Sequence, residues 1–484
     1  MTVEYKWKVL SNTTVATLMA AIDTNIVLIA LPTIGRQLPD TSPTTLLWIL
    51  LGYSLLTAVV LLNFGRLSDM FGRVRLYVLG FAVFTAGSAL CGFSQTGLEL
   101  VLFRLVQAIG AGFLFSNSAA IITDAFPPNE RGRALGVNQV SIVAGAVAGL
   151  VLGGVITSTI GWRWIFFVNV PIGIVATLRA RYDLHEIARP ESAAKVDWLG
   201  NVAFAGGLTL LLIGITLGAL GQIPGTLAIA AAAGGVALLG VFVLVELRER
   251  SPMLDLALFR NRQFTASVLA VLLNALARGA FTFILVFYLQ GPPRFLSPLT
   301  AGLFLIPVSA SLAAFGPFSG WLSDRFGPRP FLLAGLCVSA AGFLWLSTIG
   351  ASETFAELAP PLVLVGAGMG LFAAPNRAAM MTAVPPTRRG VASGIGVTFV
   401  NTGTTISLGV TLLIMTSVLS RPEIQAIFLG TSVSGVPFAA AGKFLEAIHG
   451  IFLASTALLL AALVPSVLRG ADRPAPPAAA GDVD

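Results

Sequence analysis

The pattern Gly-x-Leu-Ser-Asp-x-Phe-Gly occurs twice in this chain, at Gly65–Gly72 and again 255 positions later at Gly320–Gly327. Each copy lies between two long apolar runs and supplies glycines and an Asp to a polar link, where tight turns favour them. A second pair of patterns keeps nearly the same spacing. Gly110-Ala-Gly-Phe-Leu and Pro127-Pro-x-x-Arg131-Gly-x-Ala-x-Gly136 match Gly368-Met-Gly-Leu-Phe and Pro385-Pro-x-x-Arg389-Gly-x-Ala-x-Gly394 at an offset of 258. Such repetition marks an internal duplication. Whatever this chain folds into contains two like halves.

The runs between the motifs decide the environment. Hydrophobic residues make up 56% of the 484 positions and charged residues only 11%, against about 25% charged in a soluble domain. A spanning helix needs about 20 mostly apolar residues. Six such segments lie at 11–33, 46–66, 75–95, 98–123, 132–157 and 162–181. Two more follow at 198–219 and 224–246, and a last six at 264–289, 299–322, 330–350, 360–383, 391–418 and 447–468. The expected class is an all-α integral membrane protein of fourteen transmembrane helices. Its organisation is a six-helix half over 1–190, two inserted helices over 191–250 that act as a peripheral spacer, and a second half over 251–470. The Pro- and Ala-rich tail 471–484 is expected to be disordered. The first run follows Lys6 and Lys8 but continues past Asp23 without an Ala-x-Ala-like site, as a retained helix does.

Charge orients the bundle. With both termini cytoplasmic, twenty-one Lys and Arg fall on the cytoplasmic side and five opposite, namely Arg36, Arg163, Arg294, Arg421 and Lys443. This obeys the positive-inside rule and accounts for the net charge of +7 without a nucleic-acid partner. Cys91 and Cys337 lie in apolar runs, and His185 and His449 are far apart, so neither a disulfide framework nor a metal site is expected. The sequence holds no Gly-x-x-x-x-Gly-Lys-Ser/Thr loop and no His-Glu-x-x-His, which leaves ATP-driven transport and intramembrane proteolysis without their residues. No cofactor and no enzymatic activity are expected. Parallel six-helix repeats describe one group of secondary transporters.

Three further stretches carry a family resemblance: Asp23-Thr-Asn-Ile-Val-Leu-Ile-Ala-Leu-Pro32, Arg104-Leu-Val-Gln107-Ala-Ile-Gly110, and Trp162-Arg-Trp-Ile-Phe-Phe-Val-Asn169-Val-Pro171-Ile-Gly173. With the repeated loop, they make residues 10–468 resemble the major facilitator superfamily, in its fourteen-helix drug:proton antiporter branch. The resemblance implies a monomeric exporter of small amphiphilic compounds, exchanging them for protons across the lipid bilayer of a prokaryotic cytoplasmic membrane. Two departures stand out. The antiporter signature of the fifth helix has a central Gly-Pro where this chain has Gly149-Leu150, and the second loop copy has Pro328 where the first has Arg73.

Candidate site residues follow from depth. Asp23 lies about 15 Å from the outer end of the first helix at 1.5 Å per residue, where a charge costs at least about 2.5–3.5 kcal/mol in lipid and must face protein or water. Burial disfavours its carboxylate and a nearby cation favours it, opposed effects that suit proton exchange. Arg104, about 9 Å deep, reaches towards Asp23, and the resemblance makes it the arginine that communicates with the proton-binding acid. Snorkelling to the headgroups is its alternative. Gln107, at i+3 on the same face, Arg278 in the ninth helix, and Asn376 and Arg377 in the twelfth are the candidates for a substrate cavity. The repeat offsets set Arg278 near Ala20 to Asp23 of the first helix, roughly the pseudo-symmetric position of Asp23, facing it from the other half. One buried acid against several arginines predicts an anionic or neutral amphiphile as substrate. The loops read as cytoplasmic gates. Gly65 and Gly72 permit the turn, with Asp69 pairing Arg131 or the helix end near Arg389, Arg73 beside it, and Gly320, Asp324 and Gly327 doing the same in the second half. A dedicated lipid or metabolite exporter, and a sensor that has lost turnover, are the alternatives.

Overall fold

Backbone groups inside a hydrocarbon slab must be satisfied internally, and this chain does so with helices alone. The computed structural model describes residues 4–127, 130–187, 197–249, 254–292, 294–385, 388–429 and 437–469. Among them there is no strand, and fourteen helical stretches are long and apolar enough to cross a membrane. The first half comprises α1 (Tyr5–Gln37), α2 (Pro43–Phe71), α3 (Arg73–Phe93), α4 (Gly97–Ala125), α5 (Arg131–Thr159) and a sixth crossing made of α6 (Trp164–Phe167) and α7 (Asn169–Asp183). The inserted pair is α8 (Trp198–Ala219) and α9 (Gly225–Glu246). The second half has α10 (Arg262–Arg278) with α11 (Phe281–Gln290), α12 (Pro298–Phe304) with α13 (Ile306–Phe326), α14 (Pro328–Leu346), α15 (Phe355–Thr382), α16 (Arg389–Val418), a short α17 (Arg421–Leu429) and α18 (Pro437–Leu468). The tail 471–484 lies outside the described residues.

Duplication is visible in the packing as well as in the motifs. A Cβ at Gly80 of α3 would stand 3.1 Å from the Gly110 carbonyl oxygen of α4, and one at Gly335 of α14 would stand 2.7 Å from that of Gly368 of α15. One turn or two along, Gly87 packs on the Gln107 backbone and Gly342 on that of Val365, again at the repeat offsets. Small residues let the helix backbones touch, which is how membrane helices gain packing energy. In α5, Gly145 and Gly149 do the same against the carbonyls of Leu18 and Ile22 in α1. Leu150 leaves α5 unbroken over its whole length, as the missing proline allows.

Three crossings are hitched where continuous helices were expected. The ninth breaks at Gly279–Ala280, where a Cβ on Gly279 would meet the Thr404 Cα at 2.6 Å and the Ala280 N–H donates to Ser407 Oγ at 3.1 Å. The sixth is divided at Val168, and the tenth at Leu305, just before Pro307. With outer and inner named from the charge-based orientation, the halves meet at their outer ends. A Cβ on Gly154 of α5 would stand 2.8 Å from the Leu299 Cα of α12, and one on Gly302 would stand 2.6 Å from the Leu150 oxygen. Gln290 Nε2 donates to the Ile29 oxygen across the halves at 2.8 Å. The first inserted helix, α8, packs on both halves. Trp48 Nε1 of α2 donates to Thr216 Oγ1 of α8 at 3.3 Å, and Gly409 of α16 packs on Ile215 of α8.

Candidate functional site

Asp23 sits at mid-length of α1 and is fully buried. Its carboxylate accepts three side-chain donors: Arg104 Nη1 on Oδ2 at 2.5 Å, and Gln107 Nε2 and Asn169 Nδ2 on Oδ1 at 2.8 and 3.0 Å. Arg104 and Gln107 stand one turn apart on α4, so both point at α1, and Arg104 Nη1 also donates to Gln107 Oε1 at 2.7 Å. Asn169 opens α7 immediately after the hitch at Val168, and its amide also reaches Ser88 Oγ of α3 at 3.3 Å. The Arg104 guanidinium lies 4.0 Å over the Tyr53 ring of α2, a cation–π contact that gains strength where water is excluded. Gly87 is what lets α3 approach this closely, since a Cβ there would fall 2.7 Å from the Gln107 nitrogen.

This is a closed, charge-balanced cluster of five helices, all in the first half. One acid and one base cancel, and both oxygens of the acid are engaged, Oδ1 by two donors and Oδ2 by one. Removing one partner of such a buried pair strands the other charge at a cost of about 3–5 kcal/mol. Arg104 does not snorkel; its side chain is about as buried as that of Asp23. Gln107 belongs to this cluster and is fully buried rather than lining an open cavity. Asn169 and Ser88 were not singled out from the sequence, although an Asn inside an apolar crossing was the available signal.

The other candidates fall elsewhere. Arg278 ends α10 and donates from Nε to Asn274 Oδ1 at 2.9 Å, while the three side-chain donors to Asp23, Arg104 among them, all come from the first half. Asn376 is buried and ties α15 to α10 through the Ser267 oxygen at 3.1 Å. Arg377, its neighbour, is exposed.

At the inner end, Gly72 (φ 103°) and Gly327 (φ 81°) make the two turns, in the left-handed region that favours glycine. Gly65 and Gly320 instead lie inside α2 and α13. The expected Asp69–Arg131 pairing is not formed. The turn at Gly72 brings Arg73 back over the end of α2, where it meets Asp69 at 2.8 Å and Asp124 of α4 at 2.8 Å. Arg131 Nε donates to the Phe126 oxygen at 3.0 Å. Glu186, from the chain after α7, accepts the Arg75 N–H at 3.0 Å at the start of α3, where a helix favours negative charge. The side chains of Asp324 and Arg389 lie outside the described residues.

Comparison with known proteins supplies the context for this geometry. The family model of the Major Facilitator Superfamily matches twice, over residues 13–291 and 267–482. The riboflavin transporter RibZ of Clostridioides difficile is 32% identical over 388 residues, 80% of this chain and 83% of that protein. The multidrug resistance protein Stp of Mycobacterium tuberculosis is 33% identical over 383 residues, 78% of this chain and 70% of that one. The tetracenomycin C resistance and export protein of Streptomyces glaucescens is 29% identical over 412 residues, 85% and 76%. Among solved structures, a bacterial homolog of the human lysosomal transporter Spinster, inward-facing and unoccupied, shares the fold with a TM-score of 0.69 at 16% identity, over 97% of this chain and 98% of that one.

Proposed function

This chain belongs to the Major Facilitator Superfamily, and on that premise we propose that it exports anionic or neutral amphiphiles in exchange for protons by alternating access. It is a multi-pass membrane transport protein and not an enzyme. The observation that carries the proton-coupling reading is the Asp23 cluster: a single acid in the middle of a crossing, buried, and held by three donors of its own half. Protonating Asp23 removes the charge that Arg104 is paired with, which leaves a buried cation in need of a new partner. That imbalance costs more than thermal energy in a low-dielectric site and drives the helices around it to rearrange. A proton thus converts directly into a change of packing in α1 and α4.

The seat of the protein in this reading is a prokaryotic cytoplasmic membrane, with both termini inside, as the distribution of Lys and Arg favours. Arg278, Arg377 and Asn376 line the substrate path, and relatives named for riboflavin, for tetracenomycin C and for multidrug resistance support small organic substrates. The test is uptake into inside-out proteoliposomes under an imposed pH gradient, for wild type and Asp23→Asn. Gradient-driven accumulation is expected for the wild type and its loss for Asp23→Asn, with gradient-independent exchange retained. Accumulation that persists in Asp23→Asn overturns the coupling role. Efflux of ethidium or benzalkonium that depends on Asp23 overturns the charge preference.

A further inference from the structure

The repeat offsets pair four members of the Asp23 cluster with positions in the second half. Ser88 corresponds to Phe343, Arg104 to Leu362 and Gln107 to Val365, all three buried and apolar. Asp23 itself falls between Arg278 and Phe281 at the offsets of 255 and 258. The duplication has therefore left one half with a neutralised acid and the other with a base whose surroundings hold no counter-charge. Among the described residues no carboxylate pairs with Arg278, and its Nε donates to the neutral Asn274. Fifteen residues of helix separate it from Arg262 and eleven more lie before Gln290, so its head cannot reach either surface. What tolerates the charge is its place at the last residue of α10, where the carbonyl end of a helix favours a cation.

The donors left over have a shape. The bond from Nε to Asn274 Oδ1 occupies one donor of the guanidinium and leaves the donors of its two terminal nitrogens to a further acceptor. Asn274 is itself only 4% exposed, and its Nδ2 is buried with no acceptor. A guanidinium edge beside an amide N–H₂ matches two oxygens on one atom, the geometry of bidentate carboxylate recognition. We propose that Arg278 and Asn274 form the receptor for a carboxylate of the transported compound, which supplies the counter-charge that the second half lacks. This rests on the reading of the chain as an exporter and narrows its substrate to amphiphilic carboxylates. An exported monoanion exchanged for one proton also moves two charges inward, so the membrane potential, negative inside, assists export.

The experiment uses matched fluorescent pairs, N-dansylglycine and fluorescein with their methyl esters, and measures binding to the purified protein and exchange across proteoliposomes without a pH gradient. Wild type is expected to prefer each acid over its ester by roughly 10- to 100-fold, the span of a charge-assisted hydrogen-bond pair. Arg278→Gln abolishes the preference while the ester still binds, Arg278→Lys restores part of it, and Asn274→Ala weakens it. A wild type without preference for the acids, or an Arg278→Gln variant that keeps the preference, overturns the proposal. Asp23→Asn separates the two readings. It is expected to lose gradient-driven transport and keep the acid preference, so failure of the coupling and failure of the receptor appear in different arms. Reactivity of the buried Cys91 thiol on heating, in a Cys337→Ser background, confirms that each variant is folded.

Discussion

Asp23 is held by unequal donors, and that inequality can be measured. Arg104 carries charge, Gln107 and Asn169 are neutral, and Asn169 alone comes from the sixth crossing. A hydrogen bond to a charged group contributes about 1.5–3 kcal/mol, and a neutral one about 0.5–1.5 kcal/mol. Asn169→Ala is therefore expected to destabilise the protein by about 1.5–3 kcal/mol. Ser88→Ala, which removes the bond from Ser88 Oγ to the Phe166 oxygen, is expected to cost less, about 0.5–1.5 kcal/mol. The readout is thermal exposure of Cys91, with Cys337 replaced by Ser; equal losses in the two variants would contradict a role for Asn169 on the acid. At this scale the sequence was partly legible. Asp23, Arg104 and Gln107 declare themselves because charge and amide are costly at depth. Asn169 does not, since its direction depends on the hitch at Val168, which no periodicity reveals. The Asp69–Arg73 pair escaped for a similar reason: whether Arg73 folds back is decided by the φ of one glycine.

At the scale of elements, the fourteen crossings were legible because hydrocarbon thickness sets their length, while α17 was not. Nine residues with Arg421, Pro422 and Glu423 at the head read as a link. It becomes a helix because Ile424, Ile427 and Phe428 find a buried surface, Phe428 lying 4.6 Å from the Phe287 ring of α11. Its first turn is pinned by Glu423, which accepts from Lys443 Nζ at 2.9 Å and from Ser420 N and Oγ at 2.7 Å each, so that the third helical residue satisfies the donors of the residue that precedes the helix. The Lys443 ammonium, and then the Ser420 donors, push the Glu423 carboxyl down to about 2 from its ordinary 4.5. A carboxyl depressed on folding adds stability that is fully present above its unfolded value and is lost as pH falls through the folded one. Anchoring of α17 should therefore be constant from neutral pH down to about 4.5 and decline between there and about 2. Hydrogen exchange of the α17 amides, corrected for intrinsic rates, should accelerate over that interval in wild type. In Glu423→Gln it should already be fast at neutral pH and show no such step.

For the whole molecule, the distribution of contacts between the halves defines which end must open. The outer ends are in backbone contact at Gly154 and Gly302 and share the Gln290–Ile29 hydrogen bond. Near the inner end of α5, by contrast, a Cβ on Gly136 would meet nothing within 4 Å, and Val137 and Val140 beside it are exposed. The proposed alternating access requires the outer contact to part. Gly154→Val places a branched side chain against the Leu299 Cα and the Pro298 oxygen, both 2.8 Å from its first carbon, and a backbone cannot rotate away as a side chain can. Overpacking of this kind costs about 1–3 kcal/mol, and because it is relieved when the outer ends separate, it biases the resting conformation towards an outward opening by roughly 5- to 150-fold. Spin labels at Ser158→Cys and Ser352→Cys, exposed positions on the outer side of the two halves, report the separation, with Cys337 replaced by Ser. Gly154→Val should lengthen that distance. Gly136→Val should leave it unchanged, because its side chain enters open space. An unchanged distance in a folded Gly154→Val protein would mean that the outer seal is carried by the Gln290–Ile29 contact rather than by the α5–α12 contact.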